Sequence, residues 1–180
     1  VETIGYSAFQ YCSNLRELRL SVDLKSIGEN AFAECYLLFE VWNLSGLPIE
    51  LGENTYGGVA KYALAVYEAS HERGDVAEQD GFKLLKNDNG WYLIDYVGDS
   101  TEWNLPKYFK NKAGTTLREY HIVDHLFEGR SDVATLSIPA AVKSMGSRAF
   151  ASCTALTKVV YEENGENPEL VVYKMRSKAE

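Results

Sequence analysis

Three cysteines, at positions 12, 35 and 153, are the residues of this 180-residue chain most able to do chemistry. A thiolate can act as a nucleophile, bind a metal ion or form a disulfide. However, the three share one setting: each ends a copy of a repeat, TIGYSAFQYC, SIGENAFAEC or SMGSRAFASC. A catalytic thiol would not recur at one position of a repeat, so the pattern predicts small, buried hydrophobic side chains. Cys12 and Cys35 would stack within disulfide range on neighbouring turns of chain, but with parallel side chains, so we expect all three thiols to be reduced.

Two other groups of residues invite a chemical interpretation. His121, Asp124 and His125 resemble a metal cluster, but in the repeat they align with polar positions, and zinc would need a third protein ligand. The sequence NDNG at residues 87–90 lacks the alternating acidic residues of a calcium loop. The sequence contains no Ser-His-Asp arrangement and no glycine-rich phosphate loop. We therefore predict no catalytic residues, no metal site and no cofactor.

The composition narrows the possible partners. The formal net charge of -8 argues against a nucleic-acid-binding surface, which is usually basic. No run approaches the ~18–20 apolar residues that a membrane helix needs, so this segment should not insert into a membrane. The sequence opens inside a repeat, and we expect it to be a fragment of a longer protein. The lack of a signal peptide at its start therefore says nothing about location.

The repeat itself predicts the fold. Phe9 and Phe32 are 23 positions apart, as are Phe127 and Phe150, and apolar residues follow each Phe at six and nine positions. A period of about 20–30 residues with apolar residues at fixed offsets is typical of a leucine-rich-repeat solenoid. Each coil should carry one short strand followed by a glycine turn and a short helical or irregular arc bearing Ala-Phe. The predicted strands are 15–20, 38–43, 133–138 and 156–161.

The middle of the chain breaks this period. Apolar residues at helical spacing predict an amphipathic helix over residues 56–70, followed by a polar loop at 71–81. The segments 82–86 and 91–97 flank NDNG and predict a β-hairpin. The sequence WNLP at residues 103–106 is similar to LSIP at residues 136–139, so Trp103 and Leu105 should point inward. The remaining excess of residues predicts a loop at 107–117, which is basic and aromatic.

The spacing Ile-Gly-x-x-Ala-Phe-x-x-Cys-x-x-Leu-x-x-Val resembles the BspA-like, or Treponema-type, leucine-rich repeat over residues 1–43 and 120–161. The segment that interrupts the repeat is also similar to one that occurs in that family. The residues that match are Tyr56, Gly57, Val59, Ala60, Tyr62, Ala63, Asp80, Gly81, Phe82, Tyr92 and Leu93. The resemblance implies a secreted or surface-attached bacterial protein that binds other proteins, such as host matrix or bacterial surface proteins, or mediates adhesion.

We therefore predict an α/β repeat fold: a solenoid of coils of about 23 residues with short strands, interrupted by a helix and a β-hairpin. It should form one domain over residues 1–180. Regular coils occupy 1–43 and 120–161, and the irregular helix and hairpin segment occupies 44–119.

The predicted function is a non-catalytic protein-binding or adhesion module, located outside the cell or on its surface. A structural stalk that carries another domain is the alternative, and an enzyme lacks supporting residues. Strand alternation places Arg19 and Trp42 on the outward face, with Glu17 and Glu40 at the rim and Phe39 nearby. The helix at 57–69 or the hairpin at 82–97 could instead cover this patch. Lys107 and Lys110, in the basic loop, form a second candidate contact.

Overall fold

The computed structural model describes residues 1–162 and, for the backbone alone, Val171–Lys174. The chain forms two compact units, Val1–Gly74 and a second unit that begins at Asp75. In both units short strands stack coil on coil as a β-solenoid. The description below takes each unit by itself, and a single domain over residues 1–180 stays a prediction.

The first unit contains two parallel sheets, because each coil contributes two short strands rather than the one predicted. Strands β2, β4 and β5 form one sheet, and β1 and β3 form the other. The strand bounds are β1 Thr3–Ile4, β2 Glu17–Leu20, β3 Ser26–Ile27, β4 Glu40–Asn43 and β5 Ala65–Tyr67. The strands predicted at 15–20 and 38–43 are confirmed in β2 and β4.

The arcs that carry the Ala-Phe pairs are irregular and not helical, which decides between the two predicted alternatives, and residues with left-handed φ bend them. In the first two coils these are the residues two before and two after the Phe: Ser7, Tyr11, Asn30 and Glu34, with φ of 52° to 62°. Alternate N–H groups of the first arc donate to the second; the Phe9 N–H donates to the Ala31 carbonyl at 2.8 Å. The backbone of each arc thus finds hydrogen-bond partners in the next coil, as buried polar groups require.

The core of the first unit lies between the two sheets and the arcs. Phe32 is fully buried and stacks on Phe9 with 5.2 Å between ring centres. The fully buried members of this core are Leu20, Leu24, Ala31, Phe32, Cys35, Leu38, Val41, Ile49, Val59 and Ala60. The inward positions predicted from the repeat are therefore confirmed in the second coil, whereas in the first coil Phe9 is 40% exposed and Leu15 and Leu18 are only partly buried.

The repeat glycines have a different cause from the predicted one. Gly28 and Gly146 do not adopt left-handed φ; instead, a Cβ atom at either position would collide with the backbone of the preceding coil. At Gly28 that atom would lie 2.6 Å from the Tyr6 nitrogen, whereas at Gly5 it would meet nothing within 4 Å. The glycine is therefore needed where coils stack closely, and not to make a turn.

The helix predicted over residues 56–70 is wrong. The segment contains a short 3₁₀ turn, Tyr56–Gly58, and then strand β5, which pairs with β4. Gly57 and Gly58 adopt φ of 65° and 78°, which ends any helix at its start. The apolar residues that suggested helical spacing fill coil positions instead: Val59 is buried in the core, and Ala63 and Val66 pack against it. No α-helix occurs among the residues that the structure describes, so the class is a β-solenoid and not α/β.

The second unit contains a five-stranded sheet in the order β14-β12-β8-β7-β6 and a four-stranded sheet in the order β16-β15-β13-β9. A two-stranded sheet, β10-β11, lies outside both. The bounds are β6 Val76–Gln79, β7 Phe82–Asn87, β8 Gly90–Tyr96, β9 Glu102–Asn104, β10 Phe109–Lys110, β11 Thr116–Leu117, β12 Tyr120–Ile122, β13 Thr135–Ile138, β14 Val142–Met145, β15 Lys158–Tyr161 and β16 Val171–Lys174. The strands predicted at 133–138 and 156–161 are confirmed.

The hairpin predicted around NDNG is also confirmed, because β7 and β8 pair antiparallel and Asn87 faces Gly90 across the turn. The loop predicted at 71–81 is wrong over Val76–Gln79, which pairs with β7 as strand β6. The loop predicted at 107–117 contains the small antiparallel pair β10-β11.

Trp103 organises the core of the second unit. It is 1% exposed and points inward with Leu105, as predicted. Rings pack around it: Tyr96 at 4.5 Å, Phe82 at 6.1 Å and Phe127 at 4.8 Å between ring centres. Phe127 in turn packs on Phe150 at 5.3 Å, which repeats the Phe ladder of the first unit.

Candidate functional site

The cysteines occupy one packing position, as their repeat predicts. Cys35 and Cys153 are buried, and their thiols donate to the Phe9 and Phe127 carbonyls at 3.0 and 3.2 Å. Burial raises the pKa of both thiols, which disfavours the reactive thiolate. Cys12 is half-buried, so the predicted burial does not hold in full for the first coil. All three are free.

The histidines are held in side-chain pairs. His121 Nδ1 lies 2.7 Å from the Ser144 hydroxyl on the neighbouring strand. His125 pairs with Glu128, whose other partner is Arg148, and together they hold the pKa of Glu128 at about 2. No group of three or more potential metal ligands comes together within residues 1–162.

The most distinctive surface of the first unit is the outward side of the β2-β4-β5 sheet, which we call the outward face. The strand register aligns Arg19, Trp42 and Tyr67 in one row across it. The Arg19 guanidinium carbon lies 4.6 Å from the Trp42 ring centre, a cation–π arrangement. The Tyr67 ring packs on the other side at 4.5 Å. Trp42 is half-buried between them, and its indole N–H is shielded without an acceptor among the described residues.

Beside this row lies a charged row that is largely satisfied within the unit. Glu17 and Glu40 face each other across β2 and β4. Glu40 is only 3% exposed, because both its oxygens accept from Arg73; the Nε donates at 2.7 Å. Tyr67 Oη also donates to Glu40, at 3.3 Å, and Arg73 lies 3.6 Å from Glu17. Glu40 therefore lies on the same side of the sheet as Trp42 and holds Arg73 and Tyr67 in place there.

The pKa values in this cluster follow its geometry. Burial, followed by the neighbouring Glu40 charge, raises the pKa of Tyr67. The hydrogen bond to Glu40 raises the pKa of Arg73. Both groups thus keep their protons at neutral pH. Its chemistry is that of recognition through a cation, aromatic rings and an N–H donor.

The remaining candidates lie elsewhere. Phe39 is 2% exposed, so it does not contribute to the outward face, although the Arg16 guanidinium carbon lies 6.0 Å from its ring centre. Lys107 pairs with Glu162 at 2.9 Å in the second unit. Lys110 is exposed on strand β10.

The sequence interpretation missed two residues of the outward face, Tyr67 and Arg73. Tyr67 was assigned to the predicted helix, so its side chain was not placed beside Trp42. The alternation in Ala65-Val66-Tyr67 matches Glu40-Val41-Trp42 and could have indicated the strand. Arg73 reaches Glu40 across 33 positions of sequence, and no local pattern signals that contact.

The repeat pattern matches a known family over most of its length. Residues 1–58 and 118–171 match the family described as BspA type Leucine rich repeat region, with 6 copies. The chain belongs to the BspA-type leucine-rich repeat family. The resemblance seen in the sequence is therefore confirmed. The unmatched residues, 59–117, coincide closely with the segment where the period breaks. A repeat family of this kind is consistent with a binding module.

Two solved structures are similar to this BspA-type chain. A leucine-rich repeat protein from Bacteroides capillosus ATCC 29799 has 24% identity and a TM-score of 0.42, over 47% of this chain and 64% of that one. A leucine rich cell surface protein from Faecalibacterium prausnitzii A2-165 has 19% identity and a TM-score of 0.43, over 88% of this chain and 45% of that one. The chain thus spans less than two thirds of either structure.

No curated protein sequence matches the chain significantly. Among the described residues, no helix has the length and apolar character to cross a lipid bilayer.

Proposed function

We propose that this BspA-type chain is a non-catalytic module that binds another protein through the outward face of its first unit. The observation that carries the proposal is the aligned row of Arg19, Trp42 and Tyr67. Trp, Tyr and Arg are the residues most enriched at the energetic centres of protein interfaces. In this row Arg19 is exposed and Trp42 is half-buried, and Tyr67, which is only 6% exposed, supports the Trp42 ring by packing against it.

The state of Trp42 supports the same proposal. A shielded N–H without an acceptor costs on the order of 1–3 kcal/mol relative to a satisfied one. A partner that binds beside Arg19 could supply a carbonyl oxygen to that N–H. Forming that hydrogen bond in the complex would then contribute to the binding free energy, because the N–H lacks an acceptor in the free protein.

Rigidity gives the outward face a second advantage. The strands of a solenoid are fixed by their neighbours, so a partner need not order a loop to bind. The ion pairs of Arg73 with Glu40 and Glu17 also fix the segment that follows strand β5. Membership of the BspA-type family supports a bacterial surface or secreted location, and adhesion to host matrix or bacterial surface proteins belongs to this proposal.

A structural stalk is the second candidate, and one observation favours it. The corresponding outward rows of the second unit carry small or polar residues, with no aromatic side chain: Glu102, Asn104, Thr135, Ser137 and Lys158, together with the buried Val160. Such a surface suits a spacer. The two roles are compatible if the first unit binds and the second extends the array.

The test is a capture experiment with immobilised protein and purified host extracellular and bacterial surface proteins. Arg19→Glu is the best variant, because the 64% exposed side chain can be reversed with little effect on stability. Lys158→Glu, an exposed charge reversal in the second unit, is its matched control. We expect Arg19→Glu to weaken binding at least tenfold, by removing the cation–π contact and repelling the partner's acceptor, while Lys158→Glu binds like the wild type.

Trp42→Ala gives the supporting result. The residue is half-buried, so its replacement should lower the free energy of unfolding by roughly 1–2 kcal/mol. The same variant should also bind the partner more weakly. If Arg19→Glu binds like the wild type with an unchanged unfolding midpoint, the outward face is not the binding surface and the stalk becomes the better explanation.

A further inference from the structure

The strand pair β10-β11 presents a second, differently charged surface on the second unit. Phe109 pairs with Leu117 and Lys110 with Thr116. Side chains alternate along strands, and Phe109 is fully buried, so the opposite side faces solvent. That side, which we call the basic hairpin face, consists of Tyr108, Lys110, Thr116 and Arg118, with Lys112 at the turn. All five residues are exposed.

The basic hairpin face is held firmly in place. The Phe109 ring packs edge-on against Tyr120 at 5.2 Å, and the Tyr120 hydroxyl donates to the Pro106 carbonyl at 2.9 Å. At the turn, the Asn111 side chain accepts from the Thr115 N–H at 2.8 Å, and Asn111 bridges to Ala77 of strand β6. The cations are therefore displayed on a fixed support, which lowers the entropic cost of binding.

The charges of this face are not neutralised within the described structure. Elsewhere cations usually have a carboxylate partner, as the pairs Arg73–Glu40, Arg130–Asp132 and Arg148–Glu128 illustrate. Glu119, next to Arg118 in the sequence, pairs with Lys143, and Glu162 pairs with Lys107, next to Tyr108.

By contrast, Lys110, Lys112 and Arg118 have no ion-pair partner in residues 1–162. Three uncompensated cations on one small face stand out in a chain of net charge -8. Charge of this kind attracts a partner of opposite sign and sets its orientation.

We propose that the basic hairpin face binds a short acidic segment of a partner protein. The planar Arg118 guanidinium matches a carboxylate in two-point geometry, and Lys110 and Lys112 act as point charges beside it. Tyr108 and Arg118 each lie just outside the paired residues, next to Phe109 and Leu117, and Tyr108 offers a ring and a hydroxyl. Two or three carboxylates fit the extent of a strand pair only two residues long on each side.

The acidic composition of the chain favours a short segment over a long polyanion. A sulfated polysaccharide or an anionic membrane would extend past the three cations of the hairpin, and a formal net charge of -8 opposes more extensive binding of a polyanion. A peptide segment of a few carboxylates would interact with the three cations alone. This site is separate from the outward face of the first unit, and neither proposal depends on the other.

The test uses a fluorescent peptide with six alternating Asp and Glu residues and its Asn/Gln counterpart. The wild type should bind the acidic peptide at low salt, weaken as salt rises, and bind the neutral peptide at least tenfold less well. The double variant Lys110→Glu/Arg118→Glu should lose about tenfold in affinity. Lys86→Glu/Lys158→Glu, with the same two reversals on exposed residues of the same unit, should change the affinity by less than about threefold.

Each contrary result overturns the proposal. No binding of the acidic peptide, equal binding of the neutral peptide, or an unchanged affinity in Lys110→Glu/Arg118→Glu excludes the site. Equal losses in the two double variants would mean that net charge, and not this face, governs binding. Tighter binding of heparin or of phosphatidylserine vesicles, lost in the hairpin variant, would assign the face to a different anionic partner. Unfolding midpoints of both variants should match that of the wild type.

Discussion

Replacing Gly28 by alanine should destabilise the first unit, because the added Cβ atom has no room. It would lie 2.6 Å from the Tyr6 nitrogen and 2.7 Å from the Gly5 carbonyl carbon, whereas ordinary contacts begin at 3.4 Å. These are backbone atoms, and the same coils are joined by the hydrogen bond from the Gly28 N–H to the Ile4 carbonyl at 2.8 Å. The coils can only part by stretching such bonds.

The magnitude follows from two opposing effects. Overpacking of a close contact costs about 1–3 kcal/mol. Loss of glycine freedom in the unfolded chain returns about 0.4–1 kcal/mol. We therefore expect Gly28→Ala to lower the free energy of unfolding by roughly 1–2 kcal/mol, or more if the coil hydrogen bonds lengthen.

The chain provides matched controls at the same repeat position. Gly5→Ala should be neutral or stabilise slightly, because nothing lies within 4 Å of the new Cβ atom. Gly146→Ala should behave like Gly28→Ala, since its Cβ atom would lie 2.3 Å from the Asp124 nitrogen. Urea unfolding followed by circular dichroism measures all three. Equal effects of Gly5→Ala and Gly28→Ala would refute the close-stacking explanation and restore a requirement for a glycine turn.

Three further predictions concern the core, the thiols and the charged cluster. Phe32→Ala should cost ~3–5 kcal/mol, because the ring is fully buried, and an unchanged denaturation midpoint would contradict the coil packing. In native protein, thiol reagents should label half-buried Cys12 before Cys35, and the reverse order would contradict the structure. The pKa of Glu128, about 2 against an ordinary 4.5, lies below its unfolded value, so its stabilising contribution is present above pH 4.5 and is lost as the pH falls towards 2. Glu128→Gln should lower the free energy of unfolding by about 0.5–1 kcal/mol at pH 7. Measured by urea unfolding, the variant should lose less stability than the wild type as the pH falls from 4.5 towards 2. Parallel plots of stability against pH for the two proteins would contradict this role of Glu128.

The repeat made most of the fold predictable. Spacing of Phe and apolar residues located the strands, the arcs and the inward side chains, because every coil must bury the same positions against its neighbours. NDNG and the imitation of LSIP by WNLP correctly located the hairpin and the inward Trp103. Each of these signals depends on a few adjacent residues, so contacts with distant parts of the chain do not change the structure that it predicts.

What the sequence did not reveal depends on contacts between distant residues. Val59, Tyr62, Ala63 and Val66 satisfy a helical period, yet pairing with β4 makes residues 65–67 a strand. Gly28 is required because the backbone of a neighbouring coil leaves no room for a Cβ atom. The ion pair between Arg73 and Glu40 joins residues 33 positions apart. Repeat spacing contains no information about either.

Hydroxyl-radical footprinting of the complex with a captured partner tests the central claim most directly, because it reports which side chains the partner covers. We predict that the partner lowers the oxidation of the half-buried Trp42 on the outward face. Oxidation of the exposed Tyr6 and Tyr11, on the first arc of the same unit, should not change. Protection of Tyr6 and Tyr11 with no change at Trp42 would contradict binding through the outward face.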